Sequence, residues 1–199
     1  MTTPSDLRCD FTGGAVGHRL KFGGGRGQAL PKAAGFTKGL TPSVVDATAG
    51  LGRDSFLLAS LGAKVLLIER SKEMHALLHE GLLRATEAGS PFSDVVARMT
   101  LVHGDARELL VNYAPDVVLV DPMHPPRGNS ALVKKEMRQL RELVGADPDA
   151  FELMQAALAA AGKRVVLKWP LRAEAMAGLK APSHQILGKS TRYDVFMNS

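Results

Sequence analysis

The sequence predicts an α/β fold built on a mostly parallel, seven-stranded sheet. From residue 44 onward, short apolar runs typical of buried strands alternate with longer stretches whose apolar residues recur at three-and-four spacing. Such alternation is typical of parallel strands covered by helices on both faces of a sheet. Near the C-terminus two short alternating runs follow each other with no helical stretch between them, which predicts an antiparallel hairpin at the sheet's edge.

The individual elements follow from these patterns. Five runs are predicted as parallel strands: VVDATA (44–49), KVLLIE (64–69), MTLVHG (99–104), DVVLVD (116–121) and KRVVLKW (163–169). The helices are predicted in DSFLLASLGA, KEMHALLHEGLLRATEAG and DPDAFELMQAALAAAG, with Gly62, Gly89 and Gly162 as their stops. HQILGK and RYDVFMN form the hairpin. A parallel sheet closed by a hairpin is closer to the Rossmann-like methyltransferases than to dinucleotide dehydrogenases, which repeat a second βαβ half.

Composition narrows the class of protein. A chain of 199 residues with 45% hydrophobic content is long enough for one well-packed domain. No apolar run approaches the roughly 18 residues of a membrane span, and the start of the chain lacks a signal-peptide pattern, so we expect a cytoplasmic protein with no membrane partner. The single cysteine, Cys9, predicts neither a disulfide nor a cysteine-based metal site, and we expect no metal.

Charge and glycine are unevenly distributed. The net charge of +5 and the pI near 9.5 favour a polyanionic partner, and positive residues gather at 18–38, 134–141 and 163–172. Residues 1–43 show little periodicity and contain the glycine-rich stretch GGAVGHRLKFGGGRG. We therefore predict a glycine-rich basic N-terminal segment at 1–43, followed by the α/β domain at 44–199.

A nucleotide site is predicted where the first strand meets its helix. DATAGLGRD (46–54) carries Gly50 and Gly52, which allow a tight turn and close approach of a ligand to the backbone. Glu69 ends the next strand, where a carboxylate accepts both hydroxyl hydrogens of a ribose. NAD remains open on this pattern, but Ser55 stands where GxGxxG requires its third glycine. S-adenosylmethionine has no pyrophosphate and fits better.

Acidic residues also follow the third and fourth strands, as Asp105 and Asp121. Because carboxyl ends of parallel strands meet at one edge of a sheet, we expect these side chains to lie near the glycine loop. The alternative for each aspartate is that it caps the following helix. The amino-acid part of S-adenosylmethionine would be bound by Asp46, Arg53 or Asp54.

The pentapeptide DPMHP (121–125), at the end of the fourth strand, suits methyl transfer to an exocyclic base amine. Such an amine is a poor nucleophile because its lone pair is delocalised into the ring. Two acceptors for its hydrogens, the Asp121 carboxylate and the Pro122 carbonyl, would orient that lone pair. Proline fixes φ and so holds that carbonyl with little reorganisation. His124 has three interpretations: stacking on an extruded base, contact with phosphate, or an exposed loop residue.

Several motifs together closely resemble one family, the RsmJ-type methyltransferases. They are HRLKFGGGRGQ (18–28), VVDATAGLGRDSF (44–56), ER (69–70), DPMHP (121–125), SALVKKEMR (130–138) and KRVVLKWP (163–170). The resemblance implies a Rossmann-like class I S-adenosylmethionine-dependent methyltransferase that acts on the exocyclic N2 of a guanine in 16S ribosomal RNA or the small ribosomal subunit. It implies cofactor contacts from Arg53, Asp54, Glu69, Arg70, Asp105, Ala106 and Asp121. The family's pattern has phenylalanine where this chain has His124.

RNA contacts are predicted from two basic stretches. On a helix, Lys134, Arg138 and Arg141 lie at i, i+4 and i+7 and form a stripe beside Lys135, which we expect to hold RNA phosphates. The stretch FGGGRG, with Arg26, has three interpretations: it wraps the cofactor, contacts RNA or forms a mobile loop. We favour a lid over the site. The rival functions are a methyltransferase for another RNA or base amine, for protein or small molecules, and a non-catalytic RNA-binding Rossmann module.

Overall fold

The computed structural model of the protein describes residues 7–13, 25–123 and 148–198. Within these ranges the strands are β1 Val44–Asp46, β2 Val65–Glu69, β3 Met99–His103, β4 Val117–Val120, β5 Arg164–Pro170, β6 His184–Leu187 and β7 Thr191–Met197. The helices are α1 Ala29–Ala33, α2 Arg53–Ser60, α3 Lys72–Glu87, α4 Phe92–Val96, α5 Ala106–Leu109 and α6 Ala150–Ala160, and a 3₁₀ turn, Leu110–Asn112, follows α5.

The seven strands form one sheet in the order β3-β2-β1-β4-β5-β7-β6. The first five strands pair in parallel, and β7 pairs antiparallel with both β5 and β6. The predicted parallel sheet with an antiparallel hairpin at its edge is therefore confirmed. β1 lies between β2 and β4, so the direction in which strands are added reverses there. Open α/β sheets bind ligands in the crevice at this kind of switch point.

Both faces of the central strands are buried, and their residues alternate between two hydrophobic clusters. Along β4, Val117 and Leu119 belong to one hydrophobic cluster, whereas Val118 and Val120 belong to the other. Helices α2, α3 and α4 contribute to the first cluster, and α5 and α6 to the second. This burial explains why β4 is apolar at every position instead of alternating with polar residues.

The described parts of the N-terminal segment pack into the first cluster. Cys9 and Phe11 are each 1% exposed, and Phe11 stacks on Phe56 of α2 with ring centroids 4.8 Å apart. The Cys9 thiol lies against α3 at Gly81, where a Cβ would come within 2.6 Å of its sulfur. These residues share a core with the α/β domain.

The glycines predicted as helix stops do follow helices, but they serve two different purposes there. Gly62 and Gly89 follow α2 and α3 with φ of 100° and 72°, the left-handed backbone that glycine adopts at low cost. Gly162 comes two residues after α6 and instead allows a close approach, since a Cβ there would lie 3.2 Å from the Pro115 carbonyl oxygen, to which the Gly162 N–H donates at 2.7 Å. The described residues include no helix long and apolar enough to cross a membrane.

Candidate active site at the carboxyl edge of the sheet

A cavity of about 600 Å³ opens where the parallel strands end. Small-molecule and cofactor sites fall in the range of roughly 300–1,000 Å³. The structure brings every predicted cofactor residue, and Pro122, to its lining: Asp46, Gly50, Gly52, Arg53, Asp54, Glu69, Arg70, Asp105, Ala106, Asp121 and Pro122. The end of β5 and the start of β7 complete the wall with Lys168, Trp169, Pro170, Ser190 and Thr191.

The glycine loop after β1 has a backbone that requires its glycines. Gly50 and Gly52 have φ of 52° and 67°, and Gly52 directly precedes α2. A Cβ at Gly52 would come within 2.8 Å of a Leu78 methyl carbon and 3.1 Å of the Phe11 ring. A Cβ at Gly50 would meet only the Thr48 carbonyl, at 3.8 Å. Gly50 therefore leaves open space beside the cavity, whereas Gly52 allows tight packing beneath it.

Glu69 ties this loop to the end of β2. Its side chain is buried, and its two carboxylate oxygens accept hydrogen bonds from the Gly50 N–H at 2.9 Å and the Ser71 N–H at 2.8 Å. A carboxylate oxygen can accept more than one hydrogen bond, which is compatible with the predicted ribose contact. Glu69 is thus built into the loop as well as facing the cavity, which its spacing in the sequence did not reveal.

Asp105 has the capping role that was its alternative interpretation. It is the N-cap of α5 and accepts the Arg107 N–H at 2.9 Å. Its hydrogen bond from the Arg107 side chain holds the pKa of Asp105 below its usual value, against the opposing effect of burial. Arg107 and Arg70 also both pair with Asp149, at 3.0 and 2.8 Å, which forms a charged rim on this side of the cavity.

Asp46 is a buried carboxyl at the end of β1. It accepts hydrogen bonds from the Ser55 hydroxyl and, at 3.2 Å, from the Thr48 N–H. Burial raises its pKa to about 7, while the hydrogen bonds lower it and the charges of Asp54 and Asp121 raise it further. Asp46 is therefore close to its titration point at neutral pH.

Lys168 is the residue of this site that sequence reasoning missed. Its ammonium nitrogen lies 2.6 Å from Asp54 Oδ2 and 2.8 Å from Asp121 Oδ2. Only its membership of a basic cluster at 163–172 was visible in the sequence. Its position follows from the register of the folded sheet, because Val120 of β4 pairs with Leu167 of β5 and the next residues of the two strands are Asp121 and Lys168.

The remaining predicted residues lie away from the cavity or outside the described ranges. His124, Lys134, Lys135, Arg138 and Arg141 fall outside the residues that the structure describes. Arg26 does not line the cavity, and its guanidinium donates to the carbonyl of Thr37 at 2.6 Å, to the Thr41 hydroxyl at 2.7 Å and to the Leu40 carbonyl. These contacts anchor Arg26 to the loop before β1, and its role in RNA binding stays a prediction.

The residues present fit S-adenosylmethionine. The cavity has the size of a nucleotide site, the Gly50 backbone is open to it, and buried carboxyls lie at the ends of β1 and β2.

Comparison with known proteins also indicates S-adenosylmethionine as the cofactor. Residues 2–198 match the family described as "Putative SAM-dependent methyltransferase". "Ribosomal RNA small subunit methyltransferase J" of Brucella anthropi is 71% identical over 195 residues, which cover 98% of this chain and 95% of that protein.

The chain belongs to the ribosomal RNA small subunit methyltransferase J family. The relative of the same name from Agrobacterium fabrum is 70% identical over 188 residues, covering 94% of this chain and 90% of the relative. The crystal structure of a SAM-dependent methyltransferase from Neisseria gonorrhoeae superposes with a TM-score of 0.71 at 36% identity, covering 95% of this chain and 72% of that one. The protein is thus a SAM-dependent methyltransferase, and the predicted fold, family and cofactor are confirmed.

Proposed function

We propose that this methyltransferase transfers a methyl group to the exocyclic N2 amine of a guanine in 16S ribosomal RNA, as the RNA itself or in the small ribosomal subunit. The names of the relatives support ribosomal RNA of the small subunit as the substrate. The net charge of +5 agrees with a polyanionic partner. The choice of a base amine rests on DPMHP and the family resemblance that it carries.

The observation that carries the proposal is the position of Asp121 and Pro122 at the switch point. Asp121 follows β4 directly, lines the cavity and donates its N–H to the Thr48 hydroxyl at 2.7 Å. The catalytic strand end is therefore fastened to the glycine loop on which the methyl donor would lie. A carboxylate and a proline carbonyl held in this way accept the two amine hydrogens and orient the nitrogen lone pair.

The cofactor contacts remain part of the proposal. Glu69 would accept the ribose hydroxyls, Gly50 would let the cofactor approach the backbone, and Gly52 would form the tight turn beneath it. Asp46, Arg53, Asp54, Arg70, Asp105 and Ala106 would surround the rest of the molecule. Bound S-adenosylmethionine would supply a methyl group from its sulfonium sulfur. The amine nitrogen would form a bond to that carbon as the carbon–sulfur bond breaks, leaving a neutral thioether, and the amine would release one proton to solvent. Proximity is the main contribution, up to about 7–11 kcal/mol in the best intramolecular models.

RNA binding is proposed for the basic stripe of Lys134, Lys135, Arg138 and Arg141. Each contact with phosphate releases counterions, so the affinity for RNA should fall steeply with salt. His124 adjoins the acceptor position in the sequence and is proposed to contact the guanine or its phosphate. Both assignments rest on the sequence, because these residues lie outside the described part of the structure.

The experiment is methyl transfer to small subunits purified from cells that lack this protein, with mass-spectrometric mapping of the modified nucleotide. We expect one N2-methylguanine in 16S RNA, and a fall in kcat of roughly 100-fold or more for Asp121→Asn, because an amide cannot replace the charged acceptor. Asp94→Asn, in α4 and outside the cavity lining, is the matched control and should retain full activity.

Three outcomes separate the alternatives. Methylation of protein or small molecules but not of subunits would exclude the proposed substrate class, and failure to bind S-adenosylmethionine in calorimetry would favour a non-catalytic module. Full activity of Asp121→Asn would contradict the catalytic assignment while leaving the substrate intact. Naked RNA assayed beside assembled subunits distinguishes the two forms of the substrate.

A further inference from the structure

Lys168 connects three separate elements of the active site. It lies on β5, and its ammonium contacts the carboxylates of Asp54, in the first turn of α2, and Asp121, after β4. Thr48 closes the network from the glycine loop by accepting the Asp121 N–H. The side chain of Lys168 is only 24% exposed, so it is held inside the cavity wall and does not extend into solvent.

The charges explain why a lysine is present at this position. Burial alone would lower the pKa of Lys168, but the attraction of Asp121 and Asp54 outweighs burial and raises it, so the ammonium form is retained. Two carboxylates that share one partner lie close to each other, and without the ammonium they would repel. Asp46 adds a third carboxyl whose pKa responds to both.

Charged groups of several elements surround Asp121 in the cavity. Those on the same side of the switch point are Asp46 on β1, Arg53 and Asp54 on α2, and Lys168 on β5, whereas Glu69, Arg70, Asp105, Arg107 and Asp149 line the side of β2 and β3. Lys168 contacts the Asp121 carboxylate directly in an ion pair.

We propose that Lys168 is a positioning residue that fixes the orientation and the negative charge of the Asp121 carboxylate for methyl transfer. The proposal rests on the role of Asp121 given under "Proposed function". Lys168 holds Oδ2 of Asp121 and thereby fixes the plane of the carboxylate and the direction of its other oxygen. It also joins Asp121 to Asp54 of α2, so the glycine loop that leads into α2 and the end of β4 move as one unit.

The test compares two lysines near opposite ends of the same strand. Lys168→Met removes the ammonium inside the cavity wall, and Lys163→Met removes one that pairs with Asp116 at 2.8 Å just before β5. For Lys168→Met we expect kcat to fall roughly 10-fold or more with a smaller change in KM for the subunit. The pKa on the acid limb of the kcat profile should rise by about one unit or more, because a carboxylate that loses a nearby cation binds protons more readily. Lys163→Met should change neither kcat nor the pKa of the acid limb.

Direct titration of Asp121 gives a readout that does not depend on activity. Carbon-13 NMR of labelled aspartate, assigned with Asp121→Asn, should show a higher pKa for Asp121 in Lys168→Met than in the wild type. Lys168→Arg keeps the charge and should restore the wild-type titration. If Lys168→Met fails to fold, Lys168→Gln replaces it in both measurements.

The double variant distinguishes failure of this proposal from failure of the proposed function. In an Asp121→Asn background, Lys168→Met should lower kcat by much less than it does alone, because both changes act on one interaction. If Asp121→Asn were fully active, the catalytic role of Asp121 itself would be lost. If Asp121→Asn were impaired but Lys168→Met lowered only the melting temperature, with kcat and the Asp121 titration unchanged, Lys168 would be merely structural and the positioning role would be overturned.

Discussion

An aspartate–lysine ion pair lies at each edge of the sheet, one where the parallel strands begin and one where they end, and the two pairs have different surroundings. At the amino edge, Asp116 accepts the Ser43 N–H at 2.9 Å and the Ser43 hydroxyl at 3.0 Å, and it pairs with Lys163. At the carboxyl edge, Asp121 pairs with Lys168 at the same distance of 2.8 Å. The lysine side chain is 54% exposed in the first pair and 24% exposed in the second.

An ion pair does not by itself identify a functional site. The amino-edge pair joins Asp116, the residue before β4, to Lys163, the residue before β5, and neither residue lines the cavity at the carboxyl edge. The carboxyl-edge pair shares its cation between two carboxylates and lies beside glycines with left-handed backbone. Crowding of partly buried charges around open space is the feature that separates the two edges.

Removing Glu69 should have the largest effect at the carboxyl edge. Glu69→Ala deletes the proposed ribose acceptor and leaves the Gly50 and Ser71 N–H groups without the carboxylate that they now contact. Hydrogen bonds to charged groups are worth about 1.5–3 kcal/mol each, so we expect the Kd for S-adenosylmethionine to rise roughly 100-fold or more. Isothermal titration calorimetry measures this change.

Glu73→Ala is the matched control for Glu69→Ala. Glu73 lies in the first turn of α3, four residues further along the chain, and it does not line the cavity. Its replacement should leave the Kd within about threefold. A similarly small change for Glu69→Ala would remove the glutamate from the cofactor site.

Asp46 should make stability depend on pH. Because its folded-state pKa is raised to about 7, the folded protein holds a proton on Asp46 that the unfolded chain releases near pH 4. This stabilisation is fully present below the unfolded pKa and is lost as pH rises through the folded pKa. Between pH 5 and pH 7 the loss should be about 2 kcal/mol.

Urea denaturation of wild type and Asp46→Asn at several pH values isolates this effect. Asparagine cannot ionise, so the free energy of unfolding of the variant relative to wild type should increase across the window from pH 4 to pH 7. A difference that stays constant with pH would mean that Asp46 is already ionised in the folded protein at pH 5.

The fold was more predictable than the interior of the site. Apolar runs predict strands and glycines predict helix ends because these elements depend on residues close in sequence. The position of Glu69 at the end of a strand predicts that it faces the cavity. The contact of Lys168 with Asp121 joins residues 47 positions apart and depends on β4 and β5 being adjacent and in register. The contact with Asp54 joins residues 114 positions apart and also requires β1, which leads into α2, to lie beside β4. Sequence patterns carry propensity and spacing, but not which strands become neighbours. The same limit hid the backbone contacts of Glu69 and Arg26.

The amino-edge pair should give the smallest effect and the sharpest test of the comparison. Asp116→Ala removes the acceptor for Ser43 and the partner of Lys163, but these groups are partly exposed and water can replace it. We expect a loss of about 1 kcal/mol in stability, or roughly 2–4 °C in melting temperature, measured by calorimetry or urea denaturation. The kcat and the Kd for S-adenosylmethionine should match the wild type, because the pair lies at the opposite ends of β4 and β5 from the cavity. A fall in kcat as large as that of Lys168→Met, without loss of folded protein, would show that the two edges are coupled through these strands and would remove the distinction between them.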